Sequence, residues 1–232
     1  HRADYLDKIL SFRRGPQNSN LRVLANPGNG SAGLVLEPLK RFLDFEVITI
    51  NETPDGNFPS GVPNPLLIEN RESTAKAVRE KGVDLGVAWD GDFDRCFFFD
   101  EAGGFVEGYY LVGLFAQALL QENLGETIIH DPRLVWNTLY MVESLGTPLQ
   151  SKAGHAFIKE RMRTENAIYA GEMSGHYYFR DFSYCDSGMI PWLLLIDIMA
   201  KKGQSLSGLI NECRSMFPCS GEINLEVEDI HG

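Results

Sequence analysis

The chain alternates short apolar runs with longer stretches in which apolar residues recur every three or four positions. "LRVLA", "FEVITI", "DLGVAW", "CFFFD", "ETIIHD", "TPLQS" and "NAIYAGE" are the short runs, each of strand length. Between them lie helical patterns: His1 to Phe12 with Leu6, Ile9 and Leu10 on one face, "LVLEPLKRFL", Tyr109 to Gln121, "RLVWNTLYMVESLG" and "HAFIKERMRT". "NPLLIENRESTAKAVREKG" carries the clearest boundary signals. Asn64 suits a cap, Pro65 a first helical position, and Gly82 a C-terminal stop. Met189 to Ile196, the longest apolar stretch, contains Pro191, ends at Asp197 and is too short to cross a bilayer; it reads as a buried or amphipathic helix. Strand, turn and helix in repeated succession predict an α/β layered fold. A second unit begins near "EAGGFVEG", which divides the chain into residues 1–103 and 104–232.

Composition narrows the function. At 232 residues, 44% hydrophobic and 23% charged, the chain is ordinary globular protein, long enough for two cores. A formal net charge of −11 with no basic run argues against nucleic acid. It leaves open a small anionic substrate, because local arginines or a metal reverse the field inside a cleft. No secretory signal pattern opens the sequence, and no membrane partner is expected. Cys96, Cys185, Cys213 and Cys219 form no CxxC pair, which favours a reduced, cytoplasmic setting.

Gly28, Gly30 and Gly33 fit GxGxxG between a strand and a helix, the context of a dinucleotide fingerprint. Pro27 enters the turn where free backbone donors are needed, and Glu52 is the only acidic candidate, awkwardly placed. A tight turn that uses glycine for its backbone freedom is the better reading.

"DGDFDR" sets Asp90, Asp92 and Asp94 on alternate residues with Arg95 against the last. A hairpin turn accounts for one Asp-Gly but not for three carboxylates. An EF-hand loop fails because Arg95 stands where glycine is needed and aromatic residues follow. A magnesium site fits: a hard cation offsets the mutual repulsion of the carboxylates, and Arg95 grips phosphoryl oxygens beside it. Further on, "GEMSGH" places Glu172, Ser174 and His176 on alternate positions, which in an extended chain project to one side and suit sugar hydroxyls. His155 precedes a helix and Arg133 follows a strand.

Together these segments resemble the α-D-phosphohexomutase family, in its phosphomannomutase/phosphoglucomutase branch. "DGDFDR" is similar to that family's metal loop, "GEMSGH" to its sugar loop and "KAGHAFIK" to the segment around an active-site histidine; "PDGNFPSGVPNPL" and "NPGNGSAG" resemble its second domain. The resemblance implies two tandem α/β domains with mixed sheets flanked by helices, the central pair of a four-domain enzyme. It implies Mg²⁺ held by Asp90, Asp92 and Asp94, a phosphoryl contact from Arg95, and sugar hydroxyls held by Glu172 and Ser174. His155, Arg133 and His176 would line the same cleft, with His176 a proton shuttle. The implied reaction interconverts hexose 1-phosphate and hexose 6-phosphate, of mannose or glucose, through a phosphoserine and a hexose bisphosphate. "GEMSG" is closer to mannose or dual-specificity members. The family's Ser-His-Asn-Pro nucleophile segment and its last-domain phosphate clamp have no counterpart in these residues. The expectation is therefore a part of a longer enzyme, inactive without N- and C-terminal domains. A non-catalytic sugar-phosphate binding module is one alternative. A haloacid-dehalogenase-type phosphatase is another, although "DFDRC" lacks the Thr or Val that usually follows its second aspartate.

Overall fold

The computed structural model describes residues 1–16 and 20–221. Its first sheet holds β1 (Arg22–Asn26), β2 (Glu46–Thr49), β3 (Leu85–Trp89), β4 (Cys96–Phe99) and β5 (Phe105–Val106), in the order β2-β1-β3-β4-β5. The first three strands are parallel, whereas β4 and β5 run antiparallel to their neighbours. Helix α1 (Arg2–Leu10) precedes the sheet, and α2 (Gly33–Leu39) and α3 (Glu72–Lys81) connect its parallel strands. The second sheet holds β6 (Thr127–His130), β7 (Thr147–Gln150), β8 (Tyr169–Gly171), β9 (Tyr177–Phe179) and β10 (Cys185–Asp186), in the order β10-β9-β8-β6-β7. Helix α4 (Gly108–Glu122) precedes it, and α5 (Val135–Val142) and α6 (His155–Glu165) connect its parallel strands. Strand directions match those of the first sheet pair for pair. One α-β-α-β-α-β-β-β unit therefore occurs twice, followed by α7 (Pro191–Lys202) and α8 (Leu206–Met216).

Burial explains the strand sequences. Every residue of β3 and β4 is buried, so "LGVAW" and "CFFF" are continuously apolar rather than alternating. Below the first sheet, Ala75 and Val78 of α3 pack on Leu24, Ala88 and Phe99. Below the second, Ile158 and Met162 of α6 pack on Ile129, Ala170 and Tyr178. The remaining face of each sheet enters one shared core. Phe115 of α4 lies between Phe98 of β4 and Tyr177 of β9, with ring centroids 6.0 and 5.2 Å away. Trp89 of β3 meets Trp192 of α7 edge to face at 6.0 Å. Helix α7 realises the apolar run at Met189 to Ile196 and stops at Gly203 in the left-handed conformation.

One local expectation is corrected. The helix expected from Asn64 begins only at Glu72, so Asn64 is not its cap and Pro65 is not its first residue. Side chains occupy the carbonyls that a helix would use there: Arg71 donates to those of Pro65 and Leu66, and Asn70 to those of Val62 and Asn64. The C-terminal stop at Gly82 is present, with φ +59°. The glycine segment is the tight turn expected of it, with Gly28 at φ +59° and the Gly30 N–H donating to the Pro27 carbonyl at 2.9 Å, and it is closely packed. A Cβ on Gly33 would strike the Glu52 carbonyl at 1.8 Å, and one on Gly30 would meet the Gly91 carbonyl at 2.7 Å. Gly30 thus lets the turn before α2 lie directly against the aspartate loop, and Gly33 lets α2 start against the segment after β2. Among the described residues no helix is long and apolar enough to cross a membrane. "EINLEVEDI" lies outside the described residues.

Candidate active site

The aspartate loop joins β3 to β4, and the Glu172 loop joins β8 to β9. They occupy the same position in the two repeats. The repeats bring them edge to edge: Arg95 and His176 form a β-bridge, and the Cys96 N–H donates to the Gly175 carbonyl at 3.1 Å. Two loops about eighty residues apart in sequence thus form one surface.

Asp90 directly follows the buried end of β3 and is only 3% exposed. Its carboxylate accepts from the Arg95 Nε at 2.6 Å and from the Arg95 backbone N–H at 3.2 Å. Burial pushes the Asp90 carboxyl up to about 6, partly offset by Arg95 and reinforced by the neighbouring charge of Asp94. Asp94 goes the other way. A hydrogen bond with His176 holds it below the usual carboxylate range against the opposing effect of burial, and its Oδ2 lies 3.5 Å from His176 Nε2. Asp92 is exposed. Each of the three offers a carboxylate oxygen within 4.8 Å of the others. Hard oxygen donors at that spacing, one of them buried with a single arginine as countercharge, fit Mg²⁺. The loop is held from outside. Ser31 N–H donates to the Gly91 carbonyl at 2.9 Å, and Gly188 N–H to the Phe93 carbonyl at 3.2 Å. Phe93 itself sits at φ +55°, a conformation that costs energy for a non-glycine residue.

The second loop is a tight turn and not an extended segment, so the alternation argument does not apply to it. Gly175 at φ +91° closes the turn, while Glu172 N–H donates to the His176 carbonyl and Gly175 N–H to the Glu172 carbonyl. The turn nevertheless gathers the three side chains. Ser174 Oγ lies 2.9 Å from His176 Nδ1, and Glu172 Oε1 lies 3.9 Å from the same nitrogen. Glu172 is buried, accepts from the Tyr178 hydroxyl, and accepts from the Gly154 N–H at 2.7 Å at the start of α6. Burial and then the Glu172 bond push the Tyr178 hydroxyl up, which keeps it a donor. His155 is exposed as the first residue of α6, next to Gly154. Arg133 chelates the fully buried Asp131, which also accepts from the Met173 N–H at 2.9 Å.

The aspartates, Arg95, Glu172, Ser174 and His176 therefore form one contiguous set. His155 and Arg133 join it at one remove, through Gly154 and Asp131. Sequence reasoning missed Asp131, Tyr178 and Asp186. Asp131 stood in "HDPR" beside the chosen arginine. Tyr178 and Asp186 carried no signal, because strands β9 and β10 were not recognised.

Two mixed sheets whose equivalent loops set a carboxylate triad beside a second, buried carboxylate define a two-unit α/β protein with one acidic candidate site. The comparisons with known proteins give the family. The model described as phosphoglucomutase/phosphomannomutase alpha/beta/alpha domain II matches residues 3–104, and that of domain III matches residues 107–217. The chain belongs to the phosphoglucomutase/phosphomannomutase family. It is 57% identical over 226 residues to "phosphohexose mutases" of Xanthomonas campestris pv. campestris (strain B100), covering 97% of this chain and 50% of that protein. It is 54% identical over 229 residues to the phosphomannomutase of Escherichia coli (strain K12), covering 96% and 50%. The chain thus spans about half the length of the curated relatives it matches. Among solved structures, a family protein from Burkholderia thailandensis superposes with a TM-score of 0.84 at 31% identity, covering 91% of this chain and 46% of that one. An N-acetylphosphoglucosamine mutase from Aspergillus fumigatus, in complex with GlcNAc-6P and magnesium, has a TM-score of 0.63 at 14% identity, a likeness of fold; it covers 90% and 51%.

Proposed function

We propose that this chain is the metal-binding and sugar-recognition part of a phosphohexomutase that interconverts hexose 1-phosphate and hexose 6-phosphate, with mannose phosphates as the favoured substrates. The observation that carries the reading is the β-bridge between Arg95 and His176, which holds the carboxylate triad and the Glu172 turn side by side. Relatives above 50% identity named phosphomannomutase support the sugar.

In this reading Asp90, Asp92 and Asp94 hold Mg²⁺, which supplies electrostatic stabilisation of charge developing on the transferring phosphoryl group. Arg95 is anchored through its Nε to Asp90, so its two terminal amino groups are the ones left for phosphoryl oxygens. Glu172 is fixed by two donors, the Tyr178 hydroxyl and the Gly154 amide, and accepts from a sugar hydroxyl with its remaining lone pairs. Ser174 pairs with a second hydroxyl. Both sites act on the sugar in either orientation, because neighbouring ring hydroxyls present the same donor and acceptor pattern when the ring is turned end for end. His176, with Nδ1 at Ser174 and Nε2 toward Asp94, holds or passes a proton beside the transferred group. His155 and Arg133 line the sugar side.

The phosphoserine that donates the phosphoryl group would be supplied by a part of the enzyme outside these 232 residues, as would a phosphate clamp. Domains divided at 103/104 and a cytoplasmic location complete the proposal. Nuclear magnetic resonance titration of the chain with mannose 1-phosphate in the presence of Mg²⁺ tests it. Shifts confined to the two loops, reduced in Glu172→Gln, are expected. Shifts elsewhere, or none, would remove the sugar site from this surface.

A further inference from the structure

His176 faces two ways, and one of them is not used by the sugar. Its Nδ1 is 2.9 Å from Ser174 Oγ, and its Nε2 is 3.5 Å from Asp94 Oδ2. A cation between them would replace the Nε2 proton that faces Asp94, and Nδ1 would then donate to Ser174 Oγ, an outer hydrogen bond of the kind that orients a ligating histidine. A third ligand stands beside them. Asp186 reaches the place because β10 pairs antiparallel with β9, opposite Tyr178. One atom each from Asp94, His176 and Asp186 lie within 4.8 Å of one another, and all three residues are half-buried.

We propose that Asp94, His176 and Asp186 form a second divalent-cation site, for a transition ion of the Zn²⁺ class, sharing Asp94 with the aspartate triad. An imidazole with two carboxylates suits such an ion, whereas Mg²⁺ prefers the all-oxygen triad. The two oxygens of Asp94 are placed for the division: Oδ1 lies 3.8 Å from Arg95, on the triad side, and Oδ2 faces His176. Lys159 is the built-in competitor, with its ammonium 2.7 Å from Asp186 Oδ1. An ion must take the other oxygen or displace that ammonium. Bound there, it would withdraw His176 from proton transfer and divert Asp94 from the triad. The site itself does not depend on that reading of function.

The test is calorimetric titration of the chain with Zn²⁺ in excess Mg²⁺, with Co²⁺ as a visible-absorption probe. One Zn²⁺ is expected per chain. His176→Ala and Asp186→Asn should each weaken it by about tenfold or more. Asp92→Asn, which belongs to the triad alone, should leave it unchanged. Lys159→Met should tighten it by about threefold or more, because the competing charge is gone. This gain cannot come from misfolding. Zn²⁺ affinity indifferent to His176 and Asp186, or lost with Asp92, would overturn the proposal. A thiolate-to-cobalt charge-transfer band would place the ion on Cys185 and overturn it as well.

Discussion

Gly188 offers the sharpest test of how the aspartate loop is held. It lies in the turn between β10 and α7, where its N–H donates to the Phe93 carbonyl at 3.2 Å and its carbonyl accepts from Trp89 Nε1 at 2.8 Å. A Cβ at this position would lie 2.5 Å from the Phe93 carbonyl oxygen, 2.8 Å from that of Arg95 and 2.9 Å from Trp89 Cδ1. Carbon and oxygen tolerate roughly 3.2 Å, so Gly188→Ala must move the loop by about 0.7 Å or break its hydrogen bonds; overpacking of this kind costs about 1–3 kcal/mol. In a chain of this length that corresponds to a fall in Tm of roughly 2–12 °C. The same displacement matters more for the metal, because ligand positions are held to about 0.2 Å in a working site. A loss of Mg²⁺ affinity of about tenfold or more is therefore expected. Thermal unfolding and calorimetric Mg²⁺ titration of the Gly188→Ala variant measure both effects. Unchanged Tm and unchanged Mg²⁺ affinity would refute the claim that this backbone contact sets the loop.

Three further outcomes follow from other contacts. Arg13 bonds Asp44 at 2.5 Å and Asp197 at 3.1 Å, joining the first repeat to α7; Arg13→Met removes the shared cation from both carboxylates and should cost about 2–4 kcal/mol in denaturant unfolding. Asp90, with its pKa raised to about 6 by burial, binds more protons in the folded than in the unfolded state between about pH 4 and pH 6. In the metal-free chain its contribution therefore destabilises increasingly as pH rises through that window, and is fully present above it. Asp90→Asn should raise the Tm of the chelator-treated chain at pH 7–8 and remove Mg²⁺ stabilisation; a lowered Tm there would contradict the sign. In the complete enzyme, Glu172→Gln should lower turnover of both mannose and glucose phosphates by about tenfold or more, since one hydroxyl contact to a charged group is lost for either sugar. Steady-state kinetics on the two substrates check this.

Much of the site was legible because its chemistry is dense and local. Three carboxylates with an arginine in six residues call for a countercharge wherever the chain goes, and the buried run "LGVAW" says that they follow a strand. The α/β alternation was legible for the same reason: β3 and β4 are covered on both faces and so carry unbroken apolar runs. What the sequence hid was longer in range. The start of α3 depends on side chains of Asn70 and Arg71 taking carbonyls upstream, which no propensity reports. Strands β5 and β10 are two residues each and have no readable period. Asp186 becomes relevant only through its pairing with β9, and Asp131 only through the Met173 amide. The twofold repeat of the architecture escaped notice because it is one of topology; "DGDFDR" and "GEMSGH" share little beyond their position between the third and fourth strands.

The most direct test of the central claim is a phosphate-position assay on the full-length protein that contains this chain. Mannose 1-phosphate is supplied with Mg²⁺, and mannose 6-phosphate and inorganic phosphate are followed together. The account predicts conversion to mannose 6-phosphate without net release of phosphate, abolished by Asp92→Asn. Release of inorganic phosphate without isomerisation, or no turnover with the sugar bound, would contradict it.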